Sequence, residues 1–166
     1  MNSIPALFAC IEAQEHRFQN FLARLTAQES FSLDRESVSL AAELTAAFAK
    51  ELGFSVEEHP FPRAGSGLVV SRETGSVSAP IGFVAHLDTV HPAGSFPDSL
   101  KPAPEGGLYG PGIVDCKGGV AVALLAMYAL KELGFSRPLR LLLTPDEEVS
   151  NRLTGDDGIA FLQSHV

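Results

Sequence analysis

Three short clusters hold the residues able to do chemistry. His86 and Asp88 close the run GFVAHLD, Asp115 and Lys117 lie within LYGPGIVDCKGG (residues 108–119), and Asp146, Glu147 and Glu148 close LRLLLTPDEE. One histidine, one aspartate and one glutamate gathered together offer the nitrogen and oxygen ligands that suit zinc, and a neighbouring carboxylate is left over to move a proton. Two residues apart on a strand, His86 and Asp88 share a face, so Asp88 is placed to accept from the second ring nitrogen of His86 and fix its tautomer.

These clusters need elements that bring them together. The run ahead of His86 is almost wholly apolar, as is the run ahead of Asp146, and each predicts a strand covered on both faces of a parallel sheet. Between them come a Pro- and Gly-rich loop over residues 91–114 and an apolar helix, GGVAVALLAMYALKELGF, that stops at Gly134. Strand, loop, helix and strand make a right-handed crossover, and ligands bind beyond the carboxyl ends of such strands. The glycines at 110, 112, 118 and 119 let the backbone come close to an ion or ligand, and Asp115 enters the helix near its N-terminus, where anionic groups are favoured. Upstream, apolar residues at three- and four-residue steps predict helices over Ile4–Ala27 and about Glu36–Leu52. Two short strands follow, FSVEEHPF and GLVVSRE, joined through a turn with Pro62 and Gly65.

Taken singly, each signal has an ordinary explanation: a polar surface pair, a solvated helix start, a turn. Their placement at successive strand ends is what raises the metal reading. AGSGLV lacks the dinucleotide fingerprint, and the chain has no Gly-x-Ser-x-Gly nucleophile elbow. Cys116 reads as a spectator thiol rather than a nucleophile. His16 reads as a solvated helix residue, and His59, His91 and His165 as structural.

With 166 residues, 45% of them hydrophobic, the chain suits one globular domain. A net charge of −8 and the lack of a basic run argue against nucleic acid as a partner. Cys10 and Cys116 are too few for a disulfide framework, which fits a reducing compartment. The N-terminal segment has no positive leader, and no uninterrupted apolar stretch approaches the ~20 residues that cross a bilayer, so the expectation is a cytoplasmic protein with no membrane partner.

Three ordered motifs, HLDTV at 86–90, YGPGIVDCKGG at 109–119 and TPDEE at 144–148, resemble those of the zinc-dependent family of glutamate carboxypeptidase, acetylornithine deacetylase, succinyl-diaminopimelate desuccinylase and peptidase T. The resemblance implies an α/β fold, a three-layer αβα zinc-exopeptidase-like (phosphorylase/hydrolase-like) mixed sheet, truncated at its C-terminus. It implies that His86 binds one zinc ion, Asp115 bridges two, Glu148 binds the other, Asp88 orients the site, and Glu147 is the general base. Cobalt or manganese would use the same ligands. It also implies a cis peptide after Asp115. The Gly-Pro-Gly form of the second motif is closer to the glutamate carboxypeptidase branch than to the Gly-Arg-Gly form of the deacetylases.

The implied activity is hydrolysis of an amide bond beside a free carboxylate, in a small peptide or an N-acyl amino acid, the latter as in a deacetylase or desuccinylase. The chain departs from the family in stopping at Val166, before a further acidic ligand, a late histidine and an inserted lid domain that supports dimerisation. Asp156, Asp157 and His165 follow the Glu pair too early to be assigned those roles. Residues 1–166 therefore read as the N-terminal portion of a metallopeptidase catalytic domain, with an apolar sheet edge or face left uncovered. The competing reading is a catalytically silent fragment that acts as a binding or interaction domain.

Overall fold

All the helices and strands expected from periodicity are present in the computed structural model, which describes residues 4–96, 100–102 and 107–165. Helix α1 spans Ile4–Ala27 and α2 spans Arg35–Glu51. Asp34 starts α2 because its carboxylate accepts from the backbone N–H groups of Glu36 (3.1 Å) and Ser37 (3.2 Å), two donors that a helix start leaves without partners. Gly53 follows the helix at φ +82°, a left-handed conformation that glycine adopts without steric cost. Strands β1 (Ser55–Pro60), β2 (Ser66–Arg72) and β3 (Ile81–His86) come next, then a two-residue pair, β4 (Lys101–Pro102) and β5 (Leu108–Tyr109). The chain continues with α3 (Gly118–Glu132), β6 (Leu139–Thr144) and α4 (Asp156–Ser164). The β4–β5 pair gives some regular structure to the loop expected over 91–114, of which residues 97–99 and 103–106 lie outside the described residues.

The main sheet has the order β1-β2-β6-β3; β1/β2 and β2/β6 are antiparallel and β3/β6 is parallel, so the sheet is mixed. Alternation along the strands sorts the core into two layers. Leu68, Val70, Leu139, Leu141 and Leu143 face one side and pack with Phe21, Leu25, Ala42 and Phe48 from α1 and α2 and with Leu124 and Met127 from α3. Val69 and Leu142 face the other side, where Phe61 and Phe161 of α4 close over them. The arrangement is αβα in three layers.

One expectation needs correction. Among the described residues, strand β3 is not covered on both faces: it lies at the sheet edge, away from the Phe61, Val69, Leu142 and Phe161 cluster, and Val84 remains 64% exposed while Phe83 and Ala85 pack inward. An apolar run cannot by itself distinguish a central strand from an edge strand whose outer face is left bare. The expectation on apolar length stands: one helical stretch, Ile113–Glu132, is long and apolar enough by composition to cross a membrane, but Asp115 and Lys117 interrupt it. In the fold it is largely α3, which buries Val120, Ala121, Leu124 and Met127 against the sheet and α1. Helix α4 was not anticipated, because a nine-residue helix that starts after Gly155 without a side-chain cap carries a weak periodic signal.

Leu141 lies in the middle of the sheet, with no exposed surface. Leu141→Ala should lower unfolding stability by about 2–5 kcal/mol in a denaturant titration, through lost burial and the cavity left behind.

Candidate metal centre

Parallel pairing sets His86 opposite Thr144, so both strands end at the same rim. Past β3, Leu87 N–H donates to the Thr144 carbonyl (3.0 Å), which carries the pairing one step beyond the strand and sets Asp88 beside the start of the Glu147–Val149 3-10 turn. The two clusters thus meet where the crossover geometry placed them.

The His86 side chain is 7% exposed and held at both nitrogens. Nδ1 lies 3.1 Å from the Asp88 carbonyl oxygen and 3.3 Å from Asp88 Oδ1; Nε2 lies 2.8 Å from Asp115 Oδ1 and 3.9 Å from Glu147 Oε2. Asp115 reaches this position from an irregular turn, Ile113–Lys117, whose dihedrals at Asp115 (φ −126°, ψ 96°) and Cys116 are not helical. It therefore sits in the turn that runs directly into α3, beside that helix's N-terminus. The Asp115–Cys116 peptide is cis, as the family resemblance implies. Gly112 enters the turn at φ +69°, and a Cβ there would come within 2.8 Å of Thr89 Cγ2; a Cβ at Gly118 would strike the Ile113 carbonyl oxygen. Glycine at these two places lets the turn fold tightly against the end of β3.

Asp88 is completely buried and takes hydrogen bonds from both sides of the site. Oδ1 accepts from Glu147 N–H (3.1 Å), and Oδ2 accepts from Glu148 N–H (3.1 Å) and Ser32 Oγ (2.6 Å). The Nδ1 hydrogen bond goes to the Asp88 main-chain carbonyl, with the carboxylate expected to orient the ring 3.3 Å away, and that carboxylate also caps the Glu147–Glu148 turn.

Asp146 does not join the cluster. It is buried and turned the other way, its carboxylate accepting from Leu153 N–H (2.9 Å), Thr154 N–H (2.8 Å) and Thr154 Oγ1 (3.0 Å), and so it shapes the loop into α4. Among the described residues, the set whose ligand atoms lie within 4.8 Å of one another is His86, Asp115 and Cys116. Glu148 lies outside that set but feels the same charges. Burial pushes its carboxyl above the usual range, Asp115, Asp88 and Glu147 add to the rise, and His86 opposes it.

Cys116, read as a spectator, has a structural part: its Sγ accepts from His86 N–H (3.2 Å) and donates to His86 O (3.4 Å), tying the turn to the end of β3. Lys117 is fully buried, its ammonium donating to the Gln28 carbonyl (2.6 Å); burial lowers its pKa to about 8 against the opposing pull of Glu29. The remaining histidines sit apart from the site. His16 is on an exposed face of α1 beside Asn20, His59 and His165 pack on Phe161, and His91 packs on Phe96. Asp156 and Asp157 fall in the first turn of α4. Ser32 and the loop role of Asp146 carried no signal in sequence, because each depends on a partner placed by the fold.

The donor set fits a divalent cation. Two close nitrogen–oxygen contacts at one imidazole need a proton on each nitrogen when no cation is bound. Burial alone would disfavour that second proton, but Asp88, Cys116 and Asp115 outweigh it and push the His86 pKa up to about 11. A metal ion at Nε2 would take the place of that proton. In the metal-free chain the folded pKa lies above the unfolded value of about 6.5, so this contribution to stability is complete below about pH 6.5 and is lost as pH rises toward 11. NMR titration should find the His86 ring still doubly protonated at pH 8 without metal, and adding zinc at that pH should release a proton.

The model of the peptidase family M20/M25/M40 matches residues 82–163, the span that holds all three clusters. Acetylornithine deacetylase of Salmonella arizonae is 32% identical over 126 residues, 72% of this chain and 32% of that protein. Among solved structures, a di-peptidase of Saccharomyces cerevisiae superposes with a TM-score of 0.79 at 18% identity, covering 94% of this chain and 37% of its own. Human carnosine dipeptidase 1 superposes with a TM-score of 0.77 at 19% identity, covering 96% and 39%. This chain thus spans about a third of the length of the relatives it matches. The motif order, the mixed αβα sheet and the matches agree that the chain belongs to the M20/M25/M40 family of metallopeptidases and deacylases.

Proposed function

We propose that this chain carries part of the metal centre and the proton-transfer group of a metal-dependent hydrolase that cleaves an amide bond beside a free carboxylate, in a small peptide or N-acyl amino acid. The observation that carries the reading is the convergence of Asp115 Oδ1 (2.8 Å) and Glu147 Oε2 (3.9 Å) on one imidazole nitrogen of His86, at the carboxyl end of two parallel strands. His86, Asp115 and Glu148 would hold the metal, with zinc preferred for this nitrogen and oxygen set and cobalt or manganese as alternatives. The ion would supply Lewis acidity, polarising the scissile carbonyl and making an attacking water easier to deprotonate.

The protein's own groups do the rest. Glu147 is 57% exposed at its side chain, turned toward the rim where substrate would arrive, and it takes the proton from the water and returns it to the leaving amine. Asp88 keeps the Nδ1 proton of His86 in place, so that Nε2 offers its lone pair outward. Two ions, as in the complete family enzymes, would share Asp115, whose carboxylate is 71% exposed and offers a second oxygen.

An N-acyl amino acid substrate is favoured by the similarity to acetylornithine deacetylase, and a dipeptide by the likeness in fold to carnosine dipeptidase. A silent binding domain is the competing reading. Zinc titration, followed by assay of N-acetyl amino acids and dipeptides, separates them. Glu147→Ala should cut turnover by about a hundred- to ten-thousandfold while metal content stays at the wild-type level. Wild-type turnover in that variant would rule out the assigned proton transfer, and no metal uptake by the parent protein would favour the silent domain.

A further inference from the structure

We propose that Ser32, far from the motifs in sequence, is a positioning residue for the metal-binding and proton-transfer groups, acting through Asp88; this rests on the reading of the site given above. Two of the hydrogen-bond donors at the Asp88 carboxylate, Glu147 N–H and Glu148 N–H, belong to the turn being positioned, and His86 Nδ1 lies 3.3 Å from Oδ1. Ser32 Oγ, at 2.6 Å from Oδ2, is the donor that comes from outside the site.

Its own position is set by the scaffold. Phe31 and Thr89 form a parallel bridge, Ser32 N–H donates to Thr89 O (3.1 Å), and Thr89 N–H donates to Ser30 O (2.8 Å). The loop between α1 and α2 is thereby tied to the segment that follows β3. Ser32 is 1% exposed, so no water competes freely for its hydroxyl.

The carboxylate plane of an aspartate turns about a broad torsional minimum, so its orientation depends on what its two oxygens bind. Oδ1 faces the imidazole and Glu147, and Oδ2 faces Glu148 and Ser32. Turning the plane would loosen both halves together. The Glu147–Val149 turn has no side-chain cap from its own N-terminal residue, Asp146, so Asp88 takes that part. The Ser32 hydroxyl thus ties the plane of Asp88 to the helical layer and, through it, sets both the histidine and the glutamate turn.

Ser30 provides an internal control. It lies in the same loop, is equally buried, and its Oγ makes no hydrogen bond among the described residues. Ser32→Ala and Ser30→Ala remove the same atom, and thermal melts establish that both variants fold. Ser32→Ala should weaken zinc binding about ten- to hundredfold by calorimetric titration, alter the visible spectrum of bound cobalt, and speed hydrogen exchange at the Glu147 and Glu148 amides of the metal-free chain. Ser30→Ala should leave all three as in the parent. If Ser32→Ala does not fold, Ser32→Cys, nearly isosteric and a weaker donor, should show the same pattern with a smaller loss.

Parent-like zinc affinity, cobalt spectrum and amide exchange in the Ser32 variant would overturn the inference, as would equal losses in the Ser30 variant. Should the parent chain bind no metal, the reading of the site falls, while amide exchange at Glu147 and Glu148 still decides whether Ser32 positions that turn.

Discussion

A carboxylate taken fully out of water loses several kcal/mol of hydration, and it is kept in a protein only where donors replace what water supplied. Asp88 is in that position, with no exposed surface, hydrogen-bond donors drawn from the α1–α2 loop and the turn after β6, and the His86 ring nitrogen at the end of β3 3.3 Å from Oδ1. Because those groups come from three stretches of chain, satisfying one buried charge also requires the three stretches to meet. The geometry of the candidate metal centre follows from that requirement.

The rim itself comes from strand direction. A parallel pair ends its strands together, and the connection between them must cross over and return, here through the 91–117 segment and α3. The return passes close to the end of β3, which is why the turn needs glycine at 112 and 118 and why the Cys116 thiol can pair with the backbone of His86. Asp115 is thus brought within 2.8 Å of the imidazole by a turn that is neither strand nor helix. The cluster carries an excess of carboxylates over cations, and a proton on His86 answers part of that excess in the metal-free chain. A divalent ion would answer more of it.

Much of this could be read in advance. The helical periods of α1 and α2 and the two apolar runs before His86 and Asp146 were visible because burial repeats every three to four residues in one case and produces unbroken apolar runs in the other. The turn around Asp115 showed in its glycines. Less could be read where one signal has two structural causes: an apolar run suits a central strand and an edge strand equally, and the strand order makes β3 an edge, with Val84 bare on its outer face. Helix α4 was missed because a short helix held in place by Phe161 owes its stability to the sheet beneath it rather than to its own pattern.

Residue types and their spacing alone specified the classes of element, the candidate ligands and the family, because hydrophobic period and side-chain chemistry are properties of neighbours along the chain. Tertiary structure decided which acidic residue of the Asp146–Glu148 run turns away from the rim, that β3 lies at the edge, and that a serine in the α1–α2 loop reaches the aspartate beside the histidine. Those outcomes depend on contacts between segments far apart in sequence. A local pattern cannot encode such contacts, since each exists only once the sheet has set its strands side by side.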